Sequence, residues 1–211
     1  MSTPSHDTEK EYISDGEVRP FLFGPDQDWW HNACVNWSSF PWEGYISGYK
    51  QAADILVNHL GTSRGTLDTV VFPLLFLYRQ YLELHLKDLV RRARKLLSRE
   101  APTKKLDHRL LPLWRELRGM IEEIWPDEDS RPLEQIEDYL NQFSSVDPES
   151  FAFRYPESKA GKPSLQGLTH INVRRVAEIM QQVSKLLEGV GCALDVYLEH
   201  KADMESDAYG S

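Results

Sequence analysis

The sequence has few of the features that mark a metal site, a disulfide framework or a cofactor loop. It contains only two cysteines, Cys34 and Cys192, and they form no CxxC pair. The seven histidines are scattered, and no HExxH, GxxxxGK[ST] or GxSxG motif occurs. We therefore expect no metal, no cofactor and no disulfide, a pattern that fits a reducing cytosol.

Long apolar runs are also missing. The most apolar stretch, residues 70–78, is far shorter than the roughly 20 residues that cross a bilayer. The N-terminal sequence MSTPSHDTEKEY has no charged region followed by an apolar one, as a signal peptide would. The sequence thus predicts a cytoplasmic protein with no membrane partner.

Positive charge is scarce except in one stretch. The net charge is −9, yet residues 87–109 contain nine Lys or Arg and only three acidic residues. Such a stretch can attract a polyanion while the rest of the protein repels it. The candidate RNA-binding residues are Lys87, Arg91, Arg92, Arg94, Lys95, Lys104 and Lys105. The same charges also suit a solvated helix end, where cations offset the helix dipole.

Apolar residues recur at helical spacing through most of the chain and predict an all-α bundle of about five helices. We expect these helices at about 45–60, 68–98, 107–125 and 131–143, and from about 172 onward. Residues 144–167 are rich in turn formers and predict a loop or short hairpin with Ala160, Gly161 and Lys162 at its tip.

The N-terminal part of the chain has a different composition. Residues 1–20 are polar and predict a disordered or loosely docked arm. Residues 21–45 contain four of the six tryptophans and predict an irregular aromatic strap packed across the bundle, or else a dimer interface or a base-stacking surface. Residues 21–200 are expected to form a single domain, followed by an acidic tail at 201–211.

The long second helix contains a ladder of charged residues. Arg79, Glu83 and Lys87 are spaced four residues apart and therefore lie on one face of the helix. This pattern indicates either a functional site or a salt-bridged rim at the edge of the core.

The same helix and the segment after it resemble the HEPN superfamily, the higher-eukaryote and prokaryote nucleotide-binding domains. Members often show E-x-x-L-K-x-L, a loop, and then H-x-L-x-x-L. The matching residues here are Glu83, Leu86, Lys87, Leu89, His108, Leu110 and Leu113. The chain also resembles a bacterial HEPN-like group with YR…E…LK, H…LW and FRYP motifs, the last being residues 153–156. The resemblance covers about residues 45–190 and implies a HEPN-like bundle, usually a homodimer.

Ribonucleases of this superfamily cleave RNA without a metal, and the resemblance implies that chemistry here. The reaction uses the RNA 2′-hydroxyl as nucleophile, a histidine as general acid or base, and cations that stabilise the transition state. The family motif is an Arg followed, after four to six residues, by a His, which Arg79 and His85 match. In the ribonucleases the motif usually follows the H-x-L helix, whereas here it precedes it. Residues six apart also lie about 120° apart around a helix.

A second candidate site combines the charge ladder of Arg79, Glu83 and Lys87 with His108 and Arg154 of FRYP. If the second and third helices are antiparallel, we expect His108 nearer to Lys87 than to Arg79. Arg154 would then fold over the group and complete a cationic pocket. In the alternative interpretation, His108 packs locally and Arg154 pairs with Glu83 or Asp147 to hold the loop.

The function implied by the resemblance is RNA-directed. It is that of a metal-independent endoribonuclease or RNA-binding protein of a toxin–antitoxin or phage-defence system, with a partner protein encoded nearby. The alternative is a non-catalytic HEPN-like module that binds a protein or a nucleotide as a subunit of a larger complex.

Overall fold

The chain divides into two units, residues 1–39 and 40–211. The computed structural model describes residues 12–14, 17–19, 22–24, 27–35, 41–62, 64–100 and 106–209. In the first unit, strands β1 (Tyr12–Ser14) and β2 (Glu17–Arg19) pair antiparallel, and Trp29–His31 forms a turn of 3₁₀ helix. The predicted arm therefore includes a short strand pair, and its other residues lie outside the described ones.

The aromatic residues of the first unit are exposed where the structure describes them. Phe23 and Trp30 are 89% and 94% exposed, and Trp29 is 68% exposed. The packing of this segment across the bundle stays a prediction.

The second unit is a bundle of five helices, which confirms the predicted all-α fold class. They are α1 (Pro41–Thr62), α2 (Leu67–Leu96), α3 (Leu110–Ile124), α4 (Arg131–Val146) and α5 (Val173–Tyr209). Helix α2 is central and packs against α1, α3 and α5. In the described part of the chain, no helix is long and apolar enough to cross a membrane.

Helices α1 and α5 are longer than the sequence pattern predicts. Helix α1 begins at Pro41, four residues before the expected start, so Trp42 is a helical residue and not part of a strap. Proline suits the first turn of a helix because its missing N–H would be unpaired there anyway. Helix α5 continues through most of the predicted acidic tail. Lys201 stabilises this extension because its Nζ donates to the carbonyl oxygen of Leu96, at 2.9 Å, at the C-terminus of α2.

The other helix ends follow from local sequence. Helix α3 begins at Leu110, a few residues later than expected, and Pro112 occupies its first turn. Helix α5 is continuous despite Gly189 and Gly191. A Cβ atom added to Gly191 would lie 3.4 Å from the side chain of Leu89, so this glycine allows α5 to approach α2 closely.

The segment between α4 and α5 is a loop with a short hairpin, as predicted. Glu157 and Pro163 form an isolated antiparallel bridge, and the N–H of Ser158 donates to the carbonyl of Lys162 at 2.7 Å. Gly161 lies at the tip with φ of +72°, a conformation that favours glycine. The loop therefore returns the chain to the bundle through a fixed turn.

The core is formed by apolar side chains of all five helices, and a partly open cavity lies beside it. The cavity measures about 260 Å³ and lies between α2, α4, α5 and the loop before α5. It is lined by apolar residues such as Leu75, Leu140, Phe153, Met180 and Val183, and by no Asp, Glu, Lys or Arg.

Candidate functional site

The charged ladder of α2 is a buried ion-pair cluster. Glu83 Oε2 accepts a hydrogen bond from Arg79 Nη1 at 3.1 Å, and Glu83 Oε1 accepts one from Lys87 Nζ at 2.6 Å. All three residues are buried, and Arg79 is fully so. Four-residue spacing brings these side chains together because it matches one helical turn. The carboxylate of Glu83 therefore bridges two cations inside the bundle.

His108 joins this cluster from the segment just before α3. Its Nδ1 lies 2.9 Å from Glu83 Oε1 and 3.5 Å from Lys87 Nζ, and its backbone carbonyl accepts a hydrogen bond from Arg79 Nη2 at 2.7 Å. The side chain of His108 is 62% exposed, whereas that of Glu83 is 5% exposed. The cluster thus has one member, an imidazole, that reaches solvent. We call Arg79, Glu83, Lys87 and His108 the Glu83 cluster.

Charge compensation keeps Glu83 ionised. Burial raises the pKa of Glu83, but hydrogen bonds from Lys87 and His108 and the charges of Lys87 and Arg79 outweigh this effect, so that its pKa lies below the usual value. Burial lowers the pKa of Arg79, and the charge and hydrogen bond of Glu83 oppose this change. An ionised carboxylate is the state that accepts from all its neighbours.

The loop after α4 contributes Asp147 and Arg154 next to the Glu83 cluster. Both charges are close enough to affect the pKa of Arg79, which Asp147 raises and Arg154 lowers. Asp147 is buried, and its Oδ1 accepts hydrogen bonds from the N–H groups of Phe151 and Ala152 at 2.6 and 2.9 Å. Arg154 is exposed, and its Nε donates to the carbonyl of Ser150 at 2.7 Å. Among the described residues, no carboxylate forms an ion pair with Arg154.

His85 belongs to a different network from Arg79. The Nδ1 of His85 lies 3.0 Å from the hydroxyl of Tyr81, which donates to Ser184 of α5 at 2.9 Å. Burial lowers the pKa of His85 to about 4. The structure therefore does not bring the motif-spaced pair of Arg79 and His85 together, because their positions around α2 direct them to different neighbours.

Most of the basic stretch is paired within the protein. Arg92 contacts Asp88 and Asp195 at 2.5 and 2.7 Å, and Arg94 contacts Glu116 at 2.5 Å. A further ion pair joins Arg99 and Glu123.

Few of the described cations of this stretch remain for a polyanion. Arg91 stacks over the ring of Trp42, with its guanidinium carbon 3.9 Å from the ring centroid. Lys87 is buried in the Glu83 cluster, and Lys95 is exposed. Lys104 and Lys105 lie outside the described residues. Acids of α3 and α5 thus neutralise three cations of this stretch, Arg92, Arg94 and Arg99.

Sequence reasoning did not identify the capping role of Asp147 or the link between Tyr81 and Ser184. An Asp directly before a proline at a helix end is a turn signal that indicates the first of these. No local signal indicates the second, since it joins residues 103 positions apart.

Within the described ranges, no group of three His, Cys, Asp or Glu side chains is placed to hold a metal ion.

Comparison of the chain with protein-family models, with curated proteins and with solved structures finds no match. Membership of the HEPN superfamily therefore stays a prediction based on the sequence motifs.

Proposed function

We propose that this protein is a HEPN-like, metal-independent endoribonuclease of the cytoplasm, with His108 as its general acid–base. The observation that supports this proposal is the contact of 2.9 Å between His108 Nδ1 and Glu83 Oε1, combined with the exposure of the imidazole. A buried carboxylate that holds one ring nitrogen of an exposed histidine is the arrangement that general acid–base catalysis needs.

The proposed chemistry follows from the hydrogen bonds. When Nδ1–H of His108 donates to Glu83, Nε2 has the free lone pair and accepts the proton of the RNA 2′-hydroxyl. The 2′-oxygen then attacks phosphorus, the bond to the 5′-oxygen breaks, and the proton returns to that oxygen from the imidazolium. The products are a 2′,3′-cyclic phosphate and a 5′-hydroxyl.

The cations have distinct roles in this proposal. Lys87 lies 3.5 Å from His108 Nδ1 and is ion-paired with Glu83, so it stabilises the carboxylate that positions the imidazole. Arg154 is the exposed cation that binds a phosphate oxygen. Arg79 is fully buried, so it acts as a positioning residue that holds the backbone of His108.

The test is cleavage of RNA by the purified protein with EDTA present. We expect products with 2′,3′-cyclic phosphate ends, lost in His108→Ala and strongly reduced in Glu83→Gln. His59→Ala is the matched control, because His59 is an exposed histidine of α1 with no part in the Glu83 cluster. His85→Ala is the second arm, and loss of cleavage in that variant alone would favour the motif-spaced pair. Cleavage that survives His108→Ala would contradict the proposed role of this residue.

A second candidate function is supported by the burial of the cations. Arg79 is inaccessible to solvent. Ion pairs within the protein hold Arg92, Arg94 and Arg99, so the charges of these four residues are not free to bind RNA. That observation favours a non-catalytic HEPN-like module that binds a protein or a nucleotide. In this case the purified protein would neither cleave nor bind RNA, and His108→Ala would alter stability alone.

The wider setting belongs to the same proposal. The HEPN resemblance implies a homodimer, an RNA target and a toxin–antitoxin or phage-defence system with a partner protein encoded nearby. Expression in a bacterial host tests it: a nuclease toxin should stop growth, and His108→Ala should abolish that effect.

A further inference from the structure

We propose that Phe151 and Tyr155, next to Arg154, form a stacking platform for one unpaired nucleobase, so that the substrate is single-stranded RNA. This inference rests on the proposed function and deepens it, since it names the structural class of the RNA. We call Phe151, Tyr155 and Arg154 the aromatic platform.

The aromatic platform is partly exposed to solvent. The rings of Phe151 and Tyr155 are stacked, with centroids 4.4 Å apart and planes inclined by 29°. Tyr155 is 49% exposed, so Phe151 covers only part of its surface. The guanidinium carbon of Arg154 lies 5.6 Å from the Tyr155 ring centroid and 5.6 Å from that of Phe76 on α2. A cation and a partly exposed aromatic residue are therefore presented together.

The loop holds this platform in a fixed conformation. Asp147 Oδ1 accepts from the N–H groups of Phe151 and Ala152, and the carbonyl of Ser150 accepts from Arg154 Nε. Ser150 has φ of +56°, a left-handed conformation that is uncommon for residues other than glycine and that often occurs at functional sites. A loop fixed in this way loses little conformational entropy when a ligand binds.

The chemistry of the platform matches one nucleotide. An aromatic ring stacks on any base, because every base has a π face. The terminal nitrogens of an Arg bind phosphate oxygens in a bidentate manner, and only Nε of Arg154 is used by the loop backbone. Bases inside an RNA helix are stacked on one another and cannot reach such a ring, whereas bases of single strands and loops can.

The platform is also connected to the proposed catalytic residue. The guanidinium carbon of Arg154 lies 5.6 Å from the ring centroid of Phe76, and Phe76 and Arg79 are three residues apart on one face of α2. Arg79 Nη2 in turn donates to the carbonyl of His108. A nucleotide stacked on Tyr155, with its phosphate on Arg154, would thus lie on the side of the molecule where the His108 imidazole is exposed.

The test separates binding from cleavage. The probe is a fluorescent single-stranded 2′-O-methyl RNA, which lacks the nucleophile, and its affinity is measured by fluorescence anisotropy beside that of the same sequence as a duplex. We expect tighter binding of the single strand, and an affinity roughly tenfold lower in Tyr155→Ala, since one base–aromatic stack has about this effect. Tyr155→Phe should retain the affinity because it keeps the ring.

Tyr197→Ala is the matched control. Tyr197 is 48% exposed and contacts Trp125 edge-on. It lies about 36 Å along α5 from the end of the helix that follows the loop, so its loss should leave the affinity unchanged. Arg154→Lys should weaken binding, because Lys keeps the charge but not the planar fork. It should leave the preference for the single strand over the duplex unchanged. Thermal melting checks that each variant is folded.

The outcomes distinguish this inference from the proposed function. If the wild type cleaves RNA while Tyr155→Ala binds as tightly as Tyr197→Ala, the platform is overturned and the nuclease stands. If Tyr155→Ala weakens binding but the wild type does not cleave RNA, the platform stands and the nuclease is overturned. Absence of both binding and cleavage overturns both, and equal affinity for the duplex overturns the single-strand specificity.

Discussion

The imidazole of His85 is hydrogen bonded to the hydroxyl of Tyr81, one helical turn earlier on α2, at 3.0 Å. Tyr81 donates to Ser184 at 2.9 Å, and Ser184 donates to Glu188 at 2.7 Å, so the chain of hydrogen bonds leads from α2 to the surface of α5. His85 therefore contributes to the packing of two helices, and burial keeps its ring neutral at neutral pH.

This burial predicts a pH dependence of stability. The pKa of His85 is about 4 in the folded protein and about 6.5 when the residue is exposed, so the unfolded chain binds the extra proton first. As the pH falls from about 6.5 to about 4, the free energy of unfolding should fall by about 3 kcal/mol from this residue. The measurement is urea unfolding of the wild type and of His85→Gln across this range.

Carboxylates titrate in the same pH range in the wild type and in His85→Gln. The difference in stability between these two proteins therefore gives the contribution of His85 alone. His85→Gln should be less stable at neutral pH, because it disturbs the Tyr81 network, and should lose less stability on acidification. His59→Gln, a change at an exposed position of α1, should follow the wild type. Equal slopes for the wild type and His85→Gln would show that His85 is protonated normally in the folded state.

The position of Glu83 between two buried cations predicts that removal of its charge strongly lowers the free energy of unfolding. Glu83→Gln leaves Arg79 and Lys87 buried without their common carboxylate, and removing one partner of a buried ion pair costs about 3–5 kcal/mol. Glu122→Gln breaks an exposed pair with Arg118 and should cost less than about 1 kcal/mol. The free energies come from urea unfolding at neutral pH.

The double variant tests the cause of this loss. Adding Lys87→Met to Glu83→Gln removes one of the stranded cations, so the double variant should be more stable than the sum of the two single changes predicts. Additive losses would mean that the Glu83 carboxylate does not bridge these residues.

Acidification should also remove the contribution of Glu83 to stability. Burial raises the pKa of Glu83, but its hydrogen bonds and the nearby cations lower it below the usual value in the folded protein. The contribution is therefore complete above the ordinary pKa of a carboxyl group and is lost as the pH falls below it.

The sequence was sufficient for the parts of the site that depend on local geometry. Four-residue spacing alone places Arg79, Glu83 and Lys87 on one face of α2, and a helical stripe of apolar residues indicates which face is buried. The partners of these residues come from distant segments. The family motifs grouped His108 with this ladder, but its contact with Glu83 and the hydrogen bonds of Asp147 depend on the path of two loops. Tertiary packing determines this path, and helical periodicity does not encode it.

The ion pairs of the basic stretch likewise depend on tertiary packing. They predict which of its residues contact RNA. Arg94 is paired with Glu116 of α3, whereas Lys95 is an exposed neighbour on α2. Lys95→Gln should lower RNA affinity and reduce its salt dependence by about one phosphate contact. Arg94→Gln should lower stability and leave the salt dependence unchanged, because its charge is already neutralised. Fluorescence anisotropy at several salt concentrations measures both, and a larger effect of Arg94→Gln on the salt dependence would contradict the internal pairing.

The cavity beside the core predicts that a larger side chain stabilises the protein at one position and destabilises it at another. Val183 lines the cavity of about 260 Å³, and Val90 is equally buried but does not line it. Val183→Ile adds a methylene group where space exists and should raise the free energy of unfolding by about 0.5–1 kcal/mol. Val90→Ile adds the same group to a close-packed site and should cost about 1 kcal/mol or more. The measurement is the free energy of unfolding of the wild type and of both variants, from thermal or urea unfolding. Equal losses in the two variants would mean that the helices around Val183 already close on one another in solution, since the same added volume then meets the same resistance.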